Sequence, residues 1–282
     1  MSERVKVQIE EGIADVRLHR PEKHNALDPL MFEALHEAGT TLATNTAVRV
    51  IVLSGEGKSF CSGLDFASFT ADPSTDLFAR KGIANLAQQA AWTWVEQPAP
   101  VIAALTGHCY GGGFQIALGA DIRFAAPDTR LSLMEVKWGL VADMAGTQLL
   151  PRIIGLDHAK ELAFTGRVLS GEEALQIGLV THLAQDPHEA AFMLAQELAK
   201  KSPDALAGAK QLFNATGSVS LAEGLRLEEQ VQRAMFTTQN QSEALQANFE
   251  RRKPVFANRS YIPQDLHTPE LPGKATTPHA EN

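Results

Sequence analysis

Gly111-Gly112-Gly113-Phe114-Gln115, followed by Glu135 and Asp143, is the stretch that decides how this chain of 282 residues is read. It lies within Ala104–Asp143. Glycine at a helix start lets a backbone N–H approach a ligand with no side chain in the way. The helix dipole adds partial positive charge at the same place. Glu135 follows the apolar run Leu131-Ser132-Leu133-Met134. Burial there raises a carboxyl pKa and suits it to proton transfer near neutrality. The plainer alternatives are close strand–helix packing for the triplet and a strand-end surface residue for Glu135.

A second donor comes from upstream. Ser59-Phe60-Cys61-Ser62-Gly63-Leu64-Asp65 places Leu64 between a glycine and an acid, where its N–H is available from a different loop. Two converging N–H groups can hold a carbonyl oxygen as it becomes an enolate, each worth ~3–4 kcal/mol.

With both motifs in view, the chain resembles the crotonase (enoyl-CoA hydratase/isomerase) superfamily. The resemblance runs from about Val5 to Phe256 and rests on four separated motifs in order, including Arg20-Pro21-Glu22-Lys23-His24-Asn25-Ala26-Leu27. It implies an α/β fold: a spiral of ββα units with a helical C-terminal region that builds trimers, often paired into hexamers. It implies an acyl-CoA substrate, with coenzyme A part of the substrate and no further cofactor. Leu64 and Gly112 match the oxyanion donors, and Glu135 an acid/base glutamate. Asp143 stands where many hydratases have glycine and dienoyl-CoA isomerases have aspartate. By the same resemblance Lys23, Ala26, Ser62, Asp65, Phe66, Gly111 and Gln115 line the substrate, while Phe249 and Lys253 reach coenzyme A in a neighbouring subunit.

Gln115 departs from the pattern, because two-glutamate hydratases carry their other acid at this position. Glutamine can hydrogen-bond a water but cannot take its proton. Double-bond isomerisation, which incorporates no water, is therefore simpler here than hydration. A 2-enoyl-CoA hydratase and a non-catalytic acyl-CoA binder are the alternatives. For Asp143 an N-cap of a helix over Ala145–Ile153 is an alternative that can hold alongside catalysis.

The bulk composition agrees. The net charge is −8, which argues against a nucleic-acid or anionic-membrane binder. No apolar run reaches the ~18 residues of a membrane span, and the polar N-terminus lacks a signal-peptide core, so a cytoplasmic location is expected. Cys61 and Cys109 have no metal-ligand spacing and read as small buried hydrophobes. No metal site is expected. Gly55-Glu56-Gly57-Lys58-Ser59 resembles the end of a phosphate loop, but Val52 occupies the first required glycine. His108 beside Cys109 points the other way on a strand, so no dyad is expected.

Alternating residues predict a hairpin around Glu11-Gly12, and helical spacing predicts a helix after Asp28. Strands are expected at Val48–Leu53, Val101–Leu105, Ile122–Ala125 and Arg130–Leu133, with a glycine-rich loop over Ser54–Ser59 and a long helix over Asp76–Val95. The remainder reads as helical. The expected division is a catalytic core over 1–200, a helical region over 201–256 and an extended tail over 257–282.

Overall fold

The computed structural model describes residues 3–71 and 76–263. The chain opens with strands β1 (Val5–Glu10) and β2 (Ile13–Leu18), paired antiparallel. Glu11 and Gly12 both adopt positive φ, 49° and 81°, which matches the twist of a two-residue hairpin turn. Helix α1 (Pro29–Thr44) starts where expected: Asp28 Oδ1 accepts from the Met31 N–H at 2.9 Å, and Pro29 sits in the first turn, where its missing N–H costs nothing. Strand β3 (Val50–Gly55) extends two residues into the segment read as a loop.

After α2 (Phe66–Ala71), the predicted long helix is corrected. Its first part forms two short strands, β4 (Arg80–Lys81) and β5 (Ala84–Asn85), which turn at Gly82 with φ +79°. Only then does α3 (Leu86–Val95) begin, because Asn85 and Gln88 form a reciprocal capping box. The apolar spacing continues through residues 76–85, but the cap and the left-handed glycine decide the start.

Next come β6 (Val101–Leu105), β7 (His108–Tyr110), α4 (Gly112–Leu118), β8 (Ile122–Ala125), β9 (Arg130–Ser132) and α5 (Gly146–Ile154). These are two successive turns of a strand–strand–helix unit. The first strand of each unit joins the large sheet, while β7 and β9 pair parallel in a second, small one. Helices α6 (Leu156–Thr165) and α7 (Gly171–Gln176), strand β10 (His182–Leu183) and helix α8 (Pro187–Leu198) complete the core.

The large sheet has the order β1-β2-β3-β6-β8-β10, parallel except for the first pair. Both its faces are covered, as parallel sheets require. Val50, Val52, Ile102 and Ala104 face α8 through Ala191 and Ala195. The alternate residues, Ile51, Leu53, Ala103 and Leu105, face the main core with Phe32, Trp94 and Phe114. That period of two is why the runs Val50–Leu53 and Val101–Leu105 are apolar throughout. Helices α9 (Pro203–Ala215), α10 (Leu221–Met235) and α11 (Gln239–Glu250) follow, with a small core of their own around Ala215, Leu227, Val231 and Met235. Of the expected tail, residues 264–282 lie outside the described residues. Among the described residues no helix is long and apolar enough to cross a membrane.

Candidate active site

Two loops bring backbone donors together. After β3 the chain runs beside the start of β7: Cys61 N–H donates to His108 O at 2.9 Å, and Tyr110 N–H donates to Cys61 O at 3.0 Å. Two residues further, Gly63 passes against Gly111, and a Cβ on Gly63 would lie 3.0 Å from Tyr110 O. Gly111 takes φ +50° and ψ −120°, a conformation open in practice to glycine, and turns the chain from β7 into α4. Gly112 is thereby the first residue of α4. Its N–H and that of Leu64 have no hydrogen-bond partner among the described residues. Both residues line one cavity of about 590 Å³.

The loop before α1 braces this arrangement through Asn25, a fully buried residue whose importance the sequence reading missed. Its Oδ1 accepts from the Arg20 N–H at 2.8 Å, and its Nδ2 donates to the carbonyls of Glu56, Ser59 and Phe60. The available signal was an Asn within the quoted motif, a residue type that tolerates the left-handed conformation found here, φ +56°. Asp65 also braces: its carboxylate accepts from Ser68 Oγ and pairs with Arg20 Nη2, both at 2.8 Å. The Ser68 hydroxyl first, then Arg20, hold this carboxyl below its ordinary pKa.

Glu135 opens a short 3-10 turn after β9 and faces the cavity. Gln115, buried in α4, donates from Nε2 to Glu135 Oε1 at 2.6 Å. Glu135 Oε2 is buried and has no partner among the described residues. Burial pushes the Glu135 pKa up, and the nearby Asp143 charge pushes the same way, against the Gln115 hydrogen bond. Asp143 lines the same cavity, and partial burial raises its pKa as well. It does not cap α5. That helix starts at Gly146 after Ala145, a left-handed residue at φ +66°, and no side chain caps it. The structure therefore leaves the Asp143 carboxylate to the cavity.

Of the expected site residues, Leu64, Gly112, Glu135, Asp143, Ser62, Phe66, Gly111 and Gln115 line the cavity together. Gln115 does so as a tied group rather than as a free water partner. Lys23, Ala26 and Asp65 lie beside it: Ser62 Oγ donates to Lys23 O at 3.3 Å, and Arg20 Nη1 donates to Ala26 O at 3.1 Å. Phe249 and Lys253, exposed at the end of α11 and just beyond, do not line it. The rest of the wall includes Phe32, Leu77, Phe78, Trp138, Val141 and Met144, none of them foreseen. Phe32 and Met144 are buried and read as core, and single apolar residues in loops, such as Phe78 and Val141, are common.

The other sequence features have structural uses. Both thiols are fully buried, and burial pushes Cys61 up to about 12 and Cys109 well above its ordinary value. His108 points away from Cys109, toward the rings of His24 and Tyr110. Trp94 packs in the core, and its Nε1 donates to Ala90 O. Among the described residues no cluster of three or more His, Cys, Asp or Glu could hold a metal ion.

Residues 8–259 match the family model described as enoyl-CoA hydratase/isomerase. The chain is 36% identical to the peroxisomal Delta(3,5)-Delta(2,4)-dienoyl-CoA isomerase of Arabidopsis thaliana, over 85% of this chain and 91% of that one. It is 34% identical to the (E)-benzylidenesuccinyl-CoA hydratase of Thauera aromatica, over 89% and 98%. Among solved structures it resembles enoyl-CoA hydratase from Bacillus anthracis, with a TM-score of 0.82, 31% identity, and 90% and 98% of the two chains covered. Names for both reactions thus occur among the relatives.

Proposed function

Since the chain belongs to the enoyl-CoA hydratase/isomerase family, whose members act on acyl-CoA thioesters, we propose that this enzyme moves a double bond within its substrate rather than adding water across it. The observation that carries this reading is the state of Gln115. It cannot ionise, and its amide is already committed to Glu135 and to the loop after Asp143. Hydration needs one group to take a proton from water and another to protonate the α-carbon.

In this reading the thioester oxygen sits between the N–H groups of Leu64 and Gly112. Glu135 lies beside Gly111, its Oε1 3.6 Å from the Cβ position there, and so serves the carbon next to the thioester. It removes a proton from that carbon of a 3-enoyl thioester. The electron pair moves into a dienolate whose charge rests on the oxyanion donors. Asp143, on the following loop, returns a proton at the far end, and the product is the 2-enoyl isomer. Burial raises both carboxyls above their ordinary values, which makes each easier to protonate than an exposed carboxylate.

The acyl group is apolar in this proposal. Phe32, Phe66, Phe78 and Trp138 wall the cavity, and the charged side chains among its described lining residues are the two carboxylates. A second carboxylate on the acyl chain would meet like charge and no cation. We also propose assembly as a trimer or hexamer. Phe213 and Phe249 on the C-terminal helices, Phe236 just after α10 and Val255 beyond α11 are exposed in the single chain, a set of apolar surfaces suited to burial between subunits.

Incubation in ¹⁸O-water tests the central reading. Conversion of 3-enoyl or dienoyl thioesters without mass gain, faster than ¹⁸O incorporation into 2-enoyl-CoA, is expected. Rapid mass gain on 2-enoyl-CoA overturns it.

A further inference from the structure

We propose that Gln115 is a positioning residue that ties Glu135, through its Oε1, and the Asp143 loop into one unit. The inference rests on the reading of Glu135 as the proton-transfer group.

The geometry fixes which way the amide points. Gln115 Oε1 accepts from the Met144 N–H at 2.8 Å and from the Gly146 N–H at 3.0 Å. An amide oxygen that accepts two backbone donors must face them, so the NH₂ faces Glu135 Oε1. The two N–H groups bracket Ala145, a non-glycine residue held at φ +66°. A residue with a Cβ is strained in this conformation, which persists only where its surroundings hold it. The loop comes this close because residue 146 is glycine: a Cβ there would lie 2.7 Å from Gln115 Oε1. Asp143 directly precedes Met144. One neutral side chain therefore sets the Glu135 rotamer and the path of the backbone that carries the second carboxylate.

Neutrality is the point of this tie. The groups that face Glu135 are the Gln115 amide and the Asp143 carboxylate. The amide donates whatever the pH, so the clasp does not titrate. A carboxyl in its place could accept both loop N–H groups with one oxygen, but its other oxygen would confront Glu135 Oε1. Two carboxylates at hydrogen-bond distance must share a proton and titrate as a pair.

The test compares pH profiles of kcat/KM for wild type, Gln115→Met, Gln115→Glu and Glu135→Gln. Gln115→Met removes both functions of the amide. It is expected to lower kcat about ten- to a hundredfold with a smaller change in KM, as misplaced catalytic groups do. Its acid limb moves to higher pH, because the lost hydrogen bond favoured the Glu135 carboxylate. Gln115→Glu, nearly isosteric, keeps the protein foldable if Gln115→Met does not fold. It is expected to add an ionisation to the wild-type pH profile, because two facing carboxyls share a proton and titrate as a pair. A Gln115→Glu profile superimposable on wild type overturns the inference. So does a Gln115→Met enzyme with the wild-type acid limb. Full activity of Glu135→Gln instead overturns the catalytic reading on which the inference stands.

Discussion

Leu27 and Leu64 are paired as parallel strand neighbours. Leu27 N–H donates to Gly63 O at 2.8 Å, and Leu27 O accepts from Asp65 N–H at 2.9 Å. In such a pair the bonds run to the residues on either side of Leu64, and Leu64 turns its own N–H away from Leu27. A buried loop that hydrogen-bonds around one residue leaves that residue's N–H for a ligand. The pairing with the loop before α1 is thus what makes Leu64 a donor, and Asn25 and Arg20 hold that loop in place.

Glu135→Gln is expected to lower turnover by ~10²–10⁴, the usual contribution of a general acid–base group. The fold should persist, because glutamine keeps an oxygen to accept from Gln115 Nε2. Steady-state kinetics on the preferred thioester, with circular dichroism as the control, checks this; near wild-type turnover would remove Glu135 from the mechanism.

The same substitution has a stability signature. Burial raises the Glu135 pKa, so the folded state binds its proton more tightly than the unfolded chain does. That contribution is complete below the unfolded glutamate range and is lost as pH rises through the raised folded value. Glutamine does not titrate. The melting temperature of Glu135→Gln relative to wild type should therefore rise from acidic to mildly alkaline buffer. A constant difference across that range would show that Glu135 is not desolvated.

Gly112 separates donor loss from crowding. A Cβ at this position would lie 2.7 Å from Leu27 Cδ1 and 2.9 Å from Met144 Sδ, so Gly112→Ala carries a packing cost of ~1–3 kcal/mol. Gly112→Pro adds the loss of the N–H. Proline should fall below alanine in kcat by about 10²–10³, the worth of one oxyanion donor. Equal activities would place the oxyanion elsewhere. Cys109→Ala should stay close to wild type, since the thiol is buried and its pKa is raised.

Light scattering should find a trimer or hexamer. Phe249 is 79% exposed and Val255 80% exposed in the single chain, and Lys253 lies between them. Replacing Phe249 with serine should weaken assembly. A fully active monomer would contradict the proposed arrangement.

The order of the elements and the glycine donors were legible along the chain because their signals are local. Alternation marked the β1–β2 hairpin, a β-branched apolar run marked β3, Asp28 marked the start of α1, and a triple glycine marked a turn that no other residue type makes easily. Where two local signals competed, as over residues 76–85, periodicity misled and the Asn85 cap with Gly82 prevailed. The presence of Glu135, Asp143 and Gln115 was equally readable, but what each does was not. Asp143 is free of capping duty because Ala145 turns left-handed before α5, and Gln115 is occupied because two backbone N–H groups 29 and 31 residues away converge on its oxygen. A residue's type says which hydrogen bonds it can make. Which partners lie within 3 Å is set by the packing of α4 against the loop before α5, and that packing exists only in the folded chain.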